Sequence, residues 1–187
     1  MYIDEGISVS KKVLVLSGSP RKGGNSDTLC NEFIKGAQEA GHNVEKINIA
    51  EKKIEYCNAC YYCQRSGGFC PKKDDMVIIL DKIISSDVIV MASPVYFYSI
   101  NAQMKALIDR CVAKWLGIKD KEFYYIMSAA EDSPTVTDCA LECFRGFASC
   151  LDGSKEMGVI SAIGVYESED VRHTIFMEQA YEMGKRV

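Results

Sequence analysis

Four of the nine cysteines of this 187-residue chain lie within one short segment, YCNACYYCQRSGGFCP (residues 56–71). Cys57, Cys60, Cys63 and Cys70 follow the spacing C-x2-C-x2-C-x6-C. Four thiolates at such a spacing can hold a [4Fe–4S] cluster, and a proline after the last cysteine is typical of ferredoxin ligation. A structural zinc ion also accepts four cysteines, although usually as two separated pairs. Free thiols without a metal are the third interpretation, and the spacing alone leaves all three open.

The composition is that of an ordinary globular domain, so we expect residues 1–187 to form one domain with its own core. Hydrophobic residues make up 48% of the chain, charged residues 26%, and the net charge is −4. This charge predicts neither a nucleic-acid nor a membrane partner. No apolar run approaches the ~20 residues of a membrane span, and the N-terminus lacks a signal-peptide core. We therefore expect a cytoplasmic protein, in which clustered cysteines serve metal or redox chemistry.

The elements that must position these residues alternate between strand and helix patterns. Strands are predicted at residues 12–18, 43–49, 87–94 and 122–129 and within 157–166, with amphipathic helices after each of them. This alternation predicts an α/β fold with a doubly wound five-stranded parallel sheet, order 2-1-3-4-5, and helices on both faces. Ligands of such sheets bind beyond the carboxyl ends of the strands. The loops after Gly18, Ser93 and Ser128 are therefore the candidate site.

The first of these loops, GSPRKGGNSDTL, leads from a buried strand into the N-terminus of a helix. Free amides and the helix dipole favour a phosphate at this position. The candidate phosphate ligands are Ser19, Arg21, Asn25, Ser26 and Thr28. The loop is neither a Walker A motif nor G-x-G-x-x-G, so a mononucleotide fits better than a pyrophosphate. The alternative is that Asn25 or Ser26 only caps the helix.

The second loop begins the segment SPVYFYSINAQMKALIDR. Pro94 stiffens the exit from the strand. Tyr96, Phe97 and Tyr98 offer an aromatic surface on which a planar ring could lie. The alternative is that these aromatic side chains simply cover the end of the sheet. The second loop should lie beside the first in a 2-1-3-4-5 sheet, which favours the ring.

Three motifs together resemble a known family. They read G-S-P-R-x-x-G-N-S, a cysteine-rich loop ending in D-D-M, and S-P-V-Y-F-x-S-x-x-A-Q-M-K-A-L-I-D-R. This order is similar to the NADPH-dependent FMN reductase-like branch of the flavodoxin fold, and most similar to its iron–sulfur flavoproteins. The resemblance is close from Lys12 to Arg110 and weak afterwards.

The resemblance implies an FMN site. Its phosphate would lie on Ser19, Arg21, Asn25 and Ser26. The isoalloxazine would lie along Pro94, Val95, Tyr96, Phe97, Tyr98 and Ser99. The third loop would add Ser128, Ala129 and Glu131, although its sequence, SAAEDSP, lacks the glycines usual in the family.

The function that the resemblance implies is an NAD(P)H-dependent FMN oxidoreductase. Electrons from NAD(P)H or a ferredoxin-like donor would pass to a quinone, a flavin or an oxygen species. The flavin carries this chemistry, so we name no catalytic side chain. The complete cysteine set in residues 57–70 favours the [4Fe–4S] cluster. The alternative function is a non-enzymatic electron carrier or redox-sensing module that docks a protein partner.

The resemblance further implies a homodimer or homotetramer. Four aromatic side chains lie on the cysteine loop, where we expect them to be exposed: Tyr56, Tyr61, Tyr62 and Phe69. Exposed apolar clusters often mark protein contacts.

Several other reactive residues are predicted to be structural. The segment CALECFR (139–145) matches the phosphatase pattern C-x5-R, but it falls inside a helical stripe and is expected to pack in the core. Cys30 and Cys111 are expected to be buried thiols, and His42 to be structural or solvated. The charges of residues 72–75 are expected to cap a helix and to stay solvated.

Overall fold

The structure is a computed structural model that describes residues 9–187. Its strands are β1 (Lys12–Ser17), β2 (Asn43–Asn48), β3 (Val88–Tyr96), β4 (Ser99–Ile100), β5 (Glu122–Ser128) and β6 (Lys155–Ala162). Its α-helices are α1 (Asn25–Glu39), α2 (Tyr62–Arg65), α3 (Met76–Ser85), α4 (Ala102–Arg110), α5 (Asp138–Ser149) and α6 (Phe176–Lys185). Single 3-10 turns cover Ile49–Glu51, Cys111–Ala113, Trp115–Gly117 and Asp170–His173.

The sheet has the predicted topology with one addition. Its five long strands are parallel and follow the order β2-β1-β3-β5-β6, which is 2-1-3-4-5 when only these five are counted. The sixth strand, β4, was not predicted. It pairs antiparallel with the end of β3, which extends two residues beyond the predicted boundary and then turns back on itself.

Two hydrophobic clusters fill the two faces of the sheet, because successive strand residues point to opposite sides. In β1, Leu14 and Leu16 belong to the cluster under α3, α4 and α5. Val13 and Val15 belong to the cluster under α1 and α6. The prediction of helices on both faces is confirmed.

Two details of the helices differ from the sequence prediction. The apolar stripe that runs on to Trp115 is helical only as far as Arg110, and 3-10 turns follow. Cys139 lies within α5 as expected, but the prediction that it packs in the core is wrong, because its side chain is exposed. The buried residues of α5 are Ala140 and Phe144. Within residues 9–187, no helix has the length and apolar character needed to cross a membrane.

Helices α1 and α6 cross at unusually short range through two glycines. A Cβ atom on Gly36 would collide with the carbonyl oxygen of Tyr181, and one on Gly184 would collide with that of Phe33. Any larger side chain must therefore push the two helices apart.

We expect Gly36→Ala to lower the free energy of unfolding by about 3 kcal/mol, because overpacking a rigid contact has this effect. Gly146→Ala is the matched control, since Gly146 is exposed in α5 and a Cβ there meets no atom of the described residues within 4 Å. In that variant, the higher helix propensity of alanine should raise the free energy of unfolding by up to ~1 kcal/mol. Urea unfolding measures both values, and equal stabilities for the two variants would contradict the close crossing.

Candidate functional site

The three predicted loops meet at one edge of the sheet, because β1, β3 and β5 are neighbours and parallel. The amide of Gly18 donates to the carbonyl of Ala92 at 2.8 Å and joins the ends of β1 and β3. The hydroxyl of Tyr98 donates to a carboxylate oxygen of Glu131 at 2.7 Å and joins the second loop to the third. The structure therefore brings the predicted residues to one place.

The first loop presents an unused hydroxyl at the N-terminus of α1. Ser26 Oγ is buried and has no hydrogen-bond partner in the part of the chain that the structure describes. Ser19 Oγ instead accepts from the amide of Arg21 at 3.2 Å and braces the turn, and it leaves no room for a Cβ on Gly24. A buried polar atom without a partner is costly. Together with the free amides of a helix start, it fits an anion such as a phosphate.

Asn25 has a different set of partners from the one that the sequence suggests. Its Nδ2 donates to the carbonyl oxygens of Val165 and Glu167, at 3.2 and 2.9 Å, and its Oδ1 accepts from the amide of Val171 at 3.2 Å. The side chain thus anchors the segment after β6 to the start of α1. A direct contact between Asn25 and a phosphate stays a prediction. The same holds for Arg21, which is exposed, and for Thr28, whose hydroxyl donates to the Gly23 carbonyl.

An ion pair beneath this loop was not predicted. Asp27 accepts from Lys46 Nζ at 2.6 Å, from Ser17 Oγ at 2.8 Å and from the amide of Gly23 at 3.3 Å. Burial would raise the pKa of the Asp27 carboxyl, but the bonds from Lys46 and Ser17 outweigh it and hold that pKa below the usual 3.8. The carboxylate therefore stays charged and ties the loop to β1 and β2. The sequence signal for this role was the position of Asp27 in the first turn of a helix, where an acidic side chain interacts favourably with the helix dipole.

The aromatic residues of the second loop lie on a strained turn. Phe97 and Tyr98 have φ angles of +47° and +62°, a region unfavourable for side chains of this size. The turn connects β3 to β4, and positive φ at both central residues is typical of a type I′ hairpin. Phe97 is fully exposed. A fully exposed ring does not cover the end of the sheet, so the interpretation of these aromatic residues as a simple cover does not hold for Phe97.

Asn101 was missed by the sequence analysis although it connects two of the loops. Its Nδ2 donates to the carbonyl of Gly18. Its Oδ1 accepts from Ser93 Oγ at 3.2 Å and caps α4 by accepting from the amide of Met104 at 3.3 Å. The signal was an asparagine directly before a helical stripe, the usual N-cap pattern.

The third loop is partly enclosed. Ser128 and Ala129 are buried, whereas Glu131 is exposed and holds Tyr98. This hydrogen bond from the tyrosine hydroxyl to the Glu131 carboxylate raises the pKa of Tyr98 above its ordinary value of 10.0. The loop is tied to the segment after β6 by a bond from the amide of Val165 to the carbonyl of Ala129 at 3.0 Å.

The cysteine loop borders a cavity of about 750 Å3 between it, the end of α4 and the end of α5. All four predicted cysteines line this cavity, together with two others, Cys111 and Cys150. Within residues 9–187, no three His, Cys, Asp or Glu side chains converge as metal ligands would. The type and number of donors fit an iron–sulfur cluster, and binding one would require the loop to draw its thiols together.

A buried ion pair lies at the base of this loop. Arg110 Nη1 and Nη2 contact the two carboxylate oxygens of Asp74 at 2.5 and 3.1 Å, and both side chains are at most 2% exposed. The prediction that the charges of residues 72–75 stay solvated is therefore wrong for Asp74. Burial would lower the pKa of the Arg110 guanidinium, but its hydrogen bonds to Asp74 outweigh this and raise that pKa above its ordinary value. The pair is fully charged.

Comparison with known proteins identifies the family. The pattern described as NADPH-dependent FMN reductase matches residues 11–130, which is more than half of the chain. The chain belongs to this family. The matched range contains the first two loops, the start of the third, the cysteine segment and the Asp74–Arg110 pair.

Curated relatives match about half of the chain. An iron–sulfur flavoprotein of Archaeoglobus fulgidus is 40% identical over 99 residues, which are 53% of this chain and 44% of that protein. One of Methanosarcina thermophila is 39% identical over 101 residues, which are 54% of this chain and 52% of that protein. The chain thus spans about half the length of these curated relatives.

Solved structures show the same flavodoxin-like fold. The NAD(P)H:quinone oxidoreductase from Methanothermobacter marburgensis has a TM-score of 0.75 at 17% identity, over 95% of this chain and 96% of that one. An FMN-dependent NADH-azoreductase from Bacillus anthracis, in complex with FMN, has a TM-score of 0.74 at 16% identity, over 94% and 99% of the two chains. At these identities the likeness concerns the fold.

We expect Ser26→Ala to weaken FMN binding by about 2 kcal/mol, roughly 30-fold, because a phosphate bound at the start of α1 would lose the hydrogen bond from this hydroxyl. The free energy of unfolding without FMN should hardly change, since Ser26 Oγ has no partner among the described residues to lose. Asn25→Ala should instead reduce that free energy, because three hydrogen bonds to residues 165–171 disappear. Fluorescence titration and urea unfolding distinguish the two. Unchanged FMN affinity in Ser26→Ala would remove this hydroxyl from the site.

Proposed function

We propose that the chain binds FMN and transfers electrons from NAD(P)H to a small acceptor such as a quinone, a flavin or an oxygen species. The observation that carries the proposal is the meeting of three loops at one sheet edge. The first loop carries the Ser26 hydroxyl, which has no hydrogen-bond partner among residues 9–187, and the second carries the strained aromatic turn at Phe97 and Tyr98.

Each loop would have a separate part in holding the cofactor. Ser26 and the first amides of α1 would bind the phosphate, with Arg21 supplying charge from the exposed side. Tyr96, Phe97 and Tyr98 would lie along the ring system, and Glu131 would fix Tyr98 by the hydrogen bond described above. When bound, FMN accepts a hydride and can release its electrons one at a time.

The names of similar proteins support the same chemistry. A Bacillus subtilis relative, 29% identical over 99 residues, is called a putative NAD(P)H-dependent FMN-containing oxidoreductase. The two solved structures above are named for quinone and azo-compound reduction. NAD(P)H is therefore the donor that we favour, and a ferredoxin-like protein is the second candidate.

Steady-state oxidation of NADPH and of NADH by the FMN-loaded protein, with a soluble quinone as acceptor, tests the proposal. We expect turnover that Arg21→Ala reduces at limiting FMN and that Lys22→Ala does not, since Lys22 pairs with Glu51 on the surface instead. Reduction of bound flavin only by a protein donor would contradict the enzyme. It would support an electron carrier or redox sensor.

We further propose that Cys57, Cys60, Cys63 and Cys70 bind a [4Fe–4S] cluster. All four line one cavity, four thiolates are the set that such a cluster requires, and the relatives with the highest identity above are named iron–sulfur flavoproteins. A cluster exchanges single electrons. It would link the flavin to one-electron partners.

After anaerobic reconstitution, Cys60→Ser should lose the iron absorbance and keep FMN, because the phosphate site lies in a different loop. Cys139→Ser is the matched control, since that cysteine is also exposed but lies on α5. It should bind as much iron as the unmodified protein. Iron, zinc and FMN are counted on the same samples. Flavin-loaded protein without iron would contradict the proposal of a [4Fe–4S] cluster. Zinc at one ion per chain would instead indicate a structural zinc site.

We also propose that the chain forms a homodimer or homotetramer through the cysteine loop. Tyr56, Tyr61 and Phe69 are 76%, 67% and 59% exposed on this one loop, and such apolar exposure is typical of contact surfaces. Sedimentation at micromolar concentration should give at least twice the mass of 20.8 kDa. A replacement of Tyr61 and Phe69 by serine should shift the protein toward monomer. A monomeric parent protein would contradict the proposal.

A further inference from the structure

Arg110 connects both ends of the cysteine loop from the last turn of α4. Its Nη1 donates to the carbonyl of Glu55, just before the first cysteine of the loop, at 2.6 Å. Its Nη2 lies 3.5 Å from the sulfur of Cys70, the last cysteine, as a donor. The two ends of an exposed loop are thus joined by one buried side chain.

Asp74 fixes the plane of this guanidinium. The carboxylate binds Nη1 and Nη2 side by side and itself accepts from the amides of Glu55 and Met76, at 2.9 and 3.3 Å. A bidentate guanidinium–carboxylate pair fixes the orientation of the side chain in addition to the charge attraction. A lysine in the same place would supply the charge but not the orientation. The N–H group that faces Cys70 is therefore held in a defined orientation.

One donor of Arg110 is still unused. Its Nε is buried and has no acceptor within residues 9–187, and the side chain lines the cavity bordered by the four cysteines. A buried N–H group without a partner is costly. An electron-rich ligand in this cavity would relieve that cost.

We propose that Arg110 is a positioning residue for the iron–sulfur cluster. Its guanidinium holds Cys70 in place and raises the reduction potential of the cluster through an N–H···S hydrogen bond. The proposal rests on the cluster of the proposed function. Reduction adds one negative charge to the cluster and its thiolates, so a donor at a ligand sulfur stabilises the reduced form more than the oxidised form. The pair is almost fully buried, so salt screens this effect weakly.

The test uses two variants that preserve the local net charge. Arg110→Lys keeps the cation but lacks the bidentate geometry, and Asp74→Asn/Arg110→Met removes both charges, so that no buried carboxylate is left alone. Lys114→Gln is the control. It removes a cation that borders the same loop but pairs with the exposed Asp81 and contacts no cysteine sulfur among residues 9–187.

The reconstituted proteins are titrated anaerobically with dithionite, which supplies one electron per cluster, and are followed by electron paramagnetic resonance. At a given potential, the double variant should show at least a tenfold lower ratio of reduced to oxidised cluster. This ratio corresponds to about 59 mV for one electron. Arg110→Lys should fall between the double variant and the parent protein, and Lys114→Gln should stay within twofold of the parent. Iron-loaded variants with the parent potential would overturn the proposal.

The remaining outcomes separate this inference from the function on which it rests. A parent protein that takes up FMN but no iron refutes the cluster, and the role of Arg110 with it. A parent that binds iron, together with variants of unchanged potential, refutes the role of Arg110 alone. Loss of iron from both variants with full retention of FMN supports the positioning of Cys70. Loss of iron and FMN together overturns it, because the pair would then serve the fold in general.

Discussion

The parallel pairing of β1 with β3 and of β3 with β5 is the constraint on which the candidate site depends. Parallel neighbours end at the same edge of a sheet, so the loops that follow them must meet. The hydrogen bond from Gly18 to Ala92 and the contacts of Asn101 close this edge between β1 and β3. Segments more than 100 residues apart in the chain, such as those of Ser26 and Glu131, therefore share one surface.

The rigid edge also supports conformations that are unfavourable in isolation. The positive φ angles of Phe97 and Tyr98 each cost on the order of 1–3 kcal/mol. They persist because β4 pairs back onto β3 and because Glu131 binds Tyr98 from the next loop. Such strain, combined with full exposure of an aromatic ring, is typical of ligand sites rather than of packing.

The cysteine loop depends on a different support, the pair of Asp74 and Arg110. A buried ion pair adds little net stability, yet removal of one partner costs about 3–5 kcal/mol, because the other charge is left alone. The pair thus acts mainly by specifying where the ends of the loop lie. The same guanidinium lies at hydrogen-bond distance from a cysteine sulfur, so one residue would link structural support with the cluster chemistry that we propose.

The amino-acid sequence alone was enough to predict the fold class, the five long strands and the loops of the candidate site. Its signals are local: continuous apolar runs, glycine-rich turns and a cysteine spacing are all read within a few residues. It also determined the family, because three motifs in a fixed order resemble one group of proteins and the family pattern matches residues 11–130.

Which polar side chains have partners became visible only once the chain was folded. The charged neighbours of Asp74 predict a solvated side chain. It is buried because it pairs with Arg110, which lies 36 residues away in the chain. Asn25 looks like a phosphate ligand, and its side chain is engaged by a carbonyl 140 residues away. Cys139 shares a stripe with apolar residues, but the face of α5 that packs on the sheet is the one with Ala140 and Phe144. Such partners come from distant parts of the chain, so a local pattern shows that a polar group needs a partner but not which residue supplies it.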